Sequence, residues 1–195
     1  MMSFVPWIVR PPSPGDAALT ARIAAGDPRA LDLAYRREAG PVYRYALALC
    51  GNAAWAADAT QDAFVQLAQR PQGFDPSRGS LGAWLAGIAR HRLLAQWREP
   101  LQAVDDDAVD ASDAAEAHSP ETLLVRRQAG DAVWAAIRDL PWTFREALIL
   151  VDLQERPYAE AALIAGIELN TLRTRLHRAR RRLARVLAQE HSHEH

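Results

Sequence analysis

Asn170 to Arg185 reads NTLRTRLHRARRRLAR, and this stretch decides the fold class and points to the function. Wound as a helix, it sets Leu172, Leu176, Ala179 and Leu183 at i, i+4, i+7 and i+11, one narrow apolar stripe. Thr174, His177, Arg178, Arg181 and Arg185 fall on the opposite face, with Arg173, Arg175, Arg180 and Arg182 on the flanks. Seven arginines and no acid thus surround a helix whose apolar side is committed to packing. Asn170 is expected to serve as N-cap, its side-chain oxygen taking a spare amide of the first turn. Upstream, Tyr158 to Ala165 (YAEAALIA) reads as a short helix and Gly166 as a turn. A short helix, a glycine turn and a basic second helix form the helix-turn-helix pattern, whose second helix enters the DNA major groove. A solvated basic face is the plainer reading of an arginine run. The turn, the cap and the unbroken positive sign together favour DNA.

Composition is compatible with that reading once the position of each charge is considered. The net charge of the 195-residue chain is only −1, and all 23 basic residues are arginine. No basic residue lies between Arg98 and Arg126, where Asp105, Asp106, Asp107, Asp110, Asp113, Glu116 and Glu121 cluster. Acid in the middle cancels base at the ends in the sum but not in space. Abundant alanine with few β-branched or aromatic residues favours helices. Cys50 is the only cysteine, so an internal disulfide is excluded, and beside Leu47 and Leu49 it reads as an ordinary buried thiol. No apolar stretch is long enough to span a bilayer, and the proline-broken start (MMSFVPWIVRPPSPGD) is a poor signal peptide. A cytoplasmic protein is expected.

Further along the chain, Asp16 is expected to cap a helix ending at Gly26, and Asp27-Pro28 to open the next. That helix carries Leu31, Ala34, Tyr35, Val42, Tyr45 and Leu49 toward a core, with Gly40-Pro41 expected to kink or interrupt it. After the break at Gly51-Asn52, a third helix over 53–70 presents Ala56, Thr60, Ala63, Phe64 and Leu67 inward. Ser80 caps a fourth, with Leu81, Trp84, Leu85 and Ile88 facing in. Residues 100–118 lose both periodicity and bulk and read as a flexible acidic linker. Ser119-Pro120 opens a second unit, where helices through Trp134, Ile137 and Leu140, then Phe144, Ala147, Leu148 and Val151, precede the helix-turn-helix.

The expected architecture is all-α: two small helical domains joined by an acidic flexible linker, the second containing the helix-turn-helix. Its bounds are a disordered tail over 1–16, a first domain over 17–99, the linker over 100–118, a second domain over 119–188 and a disordered tail over 189–195.

From about residue 17 to 187 the chain resembles the bacterial sigma factors of the small, two-domain extracytoplasmic-function group. Three blocks carry the resemblance. LTARIAAGDPRALDLAYRREAGPVYRYALALCGN is similar to the family's opening helices. ATQDAFVQLAQRPQGFDPSRGSLGAWLAGIARHRLLAQW resembles its polymerase-binding helix, loop and promoter-melting helix. LPWTFREALILVDLQERPYAEAALIAGIELNTLRTRLHRARRRL resembles its closing DNA-binding domain.

The resemblance implies a dissociable specificity subunit of bacterial RNA polymerase, monomeric when free, with no catalytic residues, cofactor or metal. Promoter DNA and core polymerase are the implied partners, with an anti-sigma factor holding the protein inactive and no direct insertion into a membrane. Asp58, Gln61 and Asp62 match the polymerase-docking surface. Phe74, Arg78, Ser80 and Trp84 match the loop and helix start that accept an unpaired base of the −10 element, and Arg78, Arg90 and Arg92 would follow the strand's backbone. Asn170, Thr171, Arg173, Thr174, His177, Arg178 and Arg181 would meet the −35 element, with Arg156, Arg175 and Arg180 on phosphates. The alternatives are a stand-alone helix-turn-helix regulator, which needs a symmetric operator, and a sigma-like decoy that sequesters an anti-sigma factor. The terminal HSHEH could hold a metal but reads better as a frayed chain end.

Overall fold

The computed structural model describes residues 14–96 and 133–193, and every regular element among them is helical. The linker over 100–118 and the expected opening of the second domain at Ser119-Pro120 lie outside the described residues. The first domain comprises α1 (Pro14–Ala24), α2 (Pro28–Cys50), α3 (Ala53–Gln69), a 3₁₀ turn (Pro71–Gly73) and α4 (Leu81–Gln96). Among the described residues the second comprises α5 (133–138), α6 (Trp142–Leu148), a π-helical turn (Ile149–Leu153), α7 (Tyr158–Ala165) and α8 (Leu169–His193).

Local signals set most of these boundaries. Asp27 caps α2 by accepting from the Arg29 amide at 2.9 Å, with Pro28 in the first turn. Gly51, at φ 68°, ends that helix in the left-handed region, and Asn52 caps α3 through the Trp55 amide at 3.1 Å. Ser80 accepts from the Ala83 amide at 3.1 Å and starts α4.

Four expectations fail locally. The first helix starts at Pro14, inside the stretch expected to be tail, so Asp16 lies within it and cannot cap it. Its carboxylate turns inward instead, taking the Leu81 amide at 2.9 Å and the Arg37 guanidinium. Pro41 does not interrupt α2, which runs unbroken for 23 residues. Ala30, Ala34, Val42, Tyr45, Ala46 and Leu49 bury on both sides of the proline, and that burial outweighs a penalty of about 3 kcal/mol. Tyr35, expected toward the core, is 53% exposed and lies edge-on to Phe64 with ring centroids 4.9 Å apart. The last helix continues through His193, into the expected tail.

The core begins in the first domain, where Ala56, Ala59, Ala63 and Leu67 of α3 face Leu85, Ala86, Ala89 and Leu93 of α4 and the inward stripe of α2. It continues into the second through Ile137, Phe144, Leu148, Leu150, Ile164, Leu172 and Leu176. The two domains therefore pack against one another, with α4 lying along α7 and α2 touching α6 and the π turn. Arg145 of α6 donates to the Leu49 carbonyl at 2.9 Å, and Gln154 to the Pro41 carbonyl at 3.3 Å.

Candidate polymerase and promoter interfaces

On α3, Asp58, Gln61 and Asp62 sit at i, i+3 and i+4 and form one polar patch, with Asp58 and Gln61 exposed and Asp62 half-buried. Two apolar residues extend the same stripe, Trp55 at 38% exposure and Val65 at 42%. The sequence reading missed them, although their spacing from Asp58 and Asp62 was available. Two carboxylates between apolar ends suit a basic, partly apolar partner surface. Asp62 also meets the Arg92 guanidinium of α4 at 2.6 Å, both about half-exposed. A pair that wet is worth at most about 1 kcal/mol, so a partner can displace it at little cost.

The loop before α4 and the face of that helix hold the residues expected at a melted strand, but in unequal settings. Arg78 is exposed. Phe74 is 7% exposed and belongs to the core, edge-on to half-buried Trp84 with centroids 6.0 Å apart. Phe74 is thus not an open stacking surface here; it is the support on which Trp84 rests. Asp75 turns the loop by accepting from the Ser77 amide at 2.9 Å and hydroxyl at 2.6 Å, which holds its carboxyl below the usual range.

Ser80 and Arg90 face the second domain. Ser80 Oγ donates to Glu160 Oε1 at 3.0 Å. Arg90 donates to Glu146 through Nε at 2.6 Å and Nη2 at 3.3 Å. The Tyr45 hydroxyl donates to the same carboxylate at 2.8 Å. Glu146 is 1% exposed, and burial pushes its carboxyl up while Arg90 and Tyr45 pull it back. Burial, then the neighbouring Glu146, push the Tyr45 phenol well up. Cys50 is half-buried and its thiol is pushed up by burial, the setting of an inert thiol.

In the second domain Gly166, at φ 66°, makes the turn between α7 and α8. The apolar stripe of α8 packs as expected, with Leu172, Leu176 and Ala179 buried and Leu183 half-buried. Asn170, Thr174, His177, Arg180 and Arg181 are exposed; Thr171, Arg173, Arg175 and Arg178 are half-buried. Asn170 is not the N-cap, because the helix already begins at Leu169 and the Leu172 amide bonds the Glu168 carbonyl at 3.0 Å. Its carbonyl accepts from Thr174 Oγ1 at 3.0 Å and its side chain from Arg173 at 3.3 Å.

Two arginines expected on phosphates have carboxylate partners. Arg156 pairs with Glu160 and is only 13% exposed. Arg180 forms a forked pair with Asp152 at 2.6 and 2.9 Å, which raises its already high pKa further.

No helix among the described residues is long and apolar enough to cross a membrane. Residues 34–100 match the family described as Sigma-70 region 2, and residues 130–183 match Sigma-70 region 4. The chain is 34% identical over 180 residues to the ECF RNA polymerase sigma factor SigE of Mycolicibacterium smegmatis, covering 88% of this chain and 67% of that one. It is 32% identical to SigM of Mycobacterium tuberculosis (88% and 84% covered) and 30% identical to the sigma-E factor of Escherichia coli (85% and 90% covered). Among solved structures it is similar to CnrH in complex with the cytosolic domain of CnrY, with TM-score 0.66, 22% identity and 89% and 97% of the chains covered. It is also similar to RpoE in complex with the anti-sigma factor NepR from Bartonella quintana, with TM-score 0.58, 25% identity and 79% and 94% covered. Both family regions, in order, and relatives matched over most of their length show that the chain belongs to the extracytoplasmic-function sigma factors of RNA polymerase.

Proposed function

We propose that this sigma factor docks on core polymerase through α3, holds the melted −10 strand along α4 and the loop before it, and reads the −35 element with α8. In this reading the first domain spans 17–99, extended back to Pro14 by α1, and the second spans 119–188, extended to His193 by α8, with all of the work done in the cytoplasm. The carrying observation is that the expected polymerase and −35 surfaces each fall on one face of one helix. The acids of α3 share a stripe, and the polar and basic side of α8 lies opposite buried Leu172, Leu176 and Ala179. Asp58, Gln61 and Asp62 bind polymerase; Arg78, Ser80, Trp84, Arg90 and Arg92 serve the strand. Asn170, Thr171, Arg173, Thr174, His177, Arg178 and Arg181 face the −35 duplex, with Arg175 and Arg180 on phosphates. Arg156 is a phosphate contact only after leaving Glu160.

An anti-sigma factor is the second proposed partner. The RpoE structure similar to this chain was solved with one bound, and packed domains leave a compact body for such a protein to hold. In vitro transcription with core polymerase and mapped start sites tests the assignment. Asp62→Arg is expected to weaken core polymerase binding at least about tenfold, by placing like charge against a basic partner. Binding of the same full-length protein to −35 duplex should not change. Equal loss of both activities would mean that the substitution disrupts the fold and would remove α3 as the docking face.

A further inference from the structure

We infer that Glu146 and Glu160 of the second domain are built-in competitors for the promoter strand, occupying Arg90 and Ser80 in the free protein. The inference rests on the strand assignment of those two residues. A guanidinium accepts a carboxylate or a phosphate through the same forked pair of N–H bonds, so one partner excludes the other. Here the fork is filled by Glu146, at 2.6 and 3.3 Å. The hydroxyl that begins α4 is likewise taken by Glu160, at 3.0 Å.

These contacts are not incidental surface pairs. Glu146 is 1% exposed and Glu160 6%, and a buried carboxylate is tolerated only where donors meet it. The side chains that donate to Glu146, Arg90 and Tyr45, both come from the first domain. Glu160 is held from its own side by Arg156, so the carboxylate facing Ser80 is fixed in place. Apolar contact closes the seam beside it. A Cβ added to Gly79, next to Ser80, would lie 2.8 Å from Leu163 Cδ2 of α7.

Domain closure and strand binding therefore draw on the same donors. By reciprocity, whatever separates the domains raises affinity for the strand, and the strand in turn drives the domains apart. Core polymerase binding, or the strand itself, releases Arg90 and Ser80 together.

The Gly79–Leu163 seam supplies the test. An added Cβ at Gly79 reaches the tip of the Leu163 side chain, two bonds beyond that residue's own Cβ, so a cysteine at each position sets one thiol on either side of the seam. The full-length protein carrying Cys50→Ala, Gly79→Cys and Leu163→Cys is expected to crosslink in air. Once oxidised, it should bind a random-sequence single-stranded DNA pool roughly tenfold more weakly than after reduction with dithiothreitol. Adding Glu146→Gln should slow crosslinking several-fold and tighten DNA binding by the reduced protein, with far-ultraviolet circular dichroism unchanged. Failure to crosslink in a folded protein would overturn the inference. So would a crosslinked form that binds as well as the reduced one, or a crosslinking rate indifferent to Glu146→Gln. A reduced protein that binds no single-stranded DNA would overturn the strand assignment itself and the competition with it.

Discussion

Asp16→Ala is expected to cost the first domain about 3 kcal/mol, the low end for removing one partner of a buried ion pair. The carboxylate is 2% exposed and joins three helices: it rides on α1, holds Arg37 of α2 and caps α4 through the Leu81 amide at 2.9 Å. Removal leaves a guanidinium without this partner and the amide without its acceptor. Arg37 keeps 36% of its side-chain surface in water, which places the loss at the low end. Asp16→Asn keeps an acceptor for the amide and gives up only the charge, so it should cost about half as much. Urea titration of the full-length variants would read this as a lower midpoint at constant slope. A shift smaller than about 0.5 kcal/mol for alanine would show that the contact does not support the domain. Function should follow stability here. Asp16 fixes the start of α4, where Ser80 and Trp84 stand, so promoter opening should fail at lower temperature in the alanine variant.

Asp16 also shows where the sequence was silent. A helix-capping residue beside a predicted start reads as a local cap, and Asp27, Asn52 and Ser80 are such caps. Nothing in the spacing distinguishes a carboxylate that caps its own helix from one that caps another 65 residues away. Helical periodicity likewise named the buried stripe of α8 and nearly all of the inward positions of α3, because a repeating apolar face needs no knowledge of its partner. It placed Tyr35 inside, where it is more than half exposed, because an aromatic at core spacing and one at a rim have the same period. The basic face of α8 was legible for the same local reason. That Arg90 and Ser80 would each meet a carboxylate was not, since Glu146 and Glu160 approach the first domain only through tertiary packing, whereas Arg156 and Glu160, four residues apart, form a pair that the spacing did offer. The sequence-based picture of two tethered domains had no term for their contact.

The recognition helix offers the sharpest division of labour. Arg178 lies opposite the buried stripe of Leu172, Leu176 and Ala179, on the side that also carries exposed Thr174, His177 and Arg181. Arg180 lies on the flank, its guanidinium forked on Asp152. A side chain aimed into the groove reads base edges, whereas one aimed along the flank meets phosphate. Arg178→Ala should therefore cost roughly 1–3 kcal/mol on the preferred −35 sequence and relax the preference at one position. Arg180→Ala should weaken all sequences alike and reduce the salt slope by about 0.9, the loss of one phosphate contact. Asp152→Asn should act in the opposite sense, freeing Arg180 and tightening binding without changing preference. A library of −35 sequences assayed against the three full-length variants, each at several salt concentrations, separates these outcomes. If Arg180→Ala altered sequence preference while Arg178→Ala altered only the slope, α8 would enter the groove rotated by about a quarter turn from this assignment, since the two arginines flank its outward face on opposite sides.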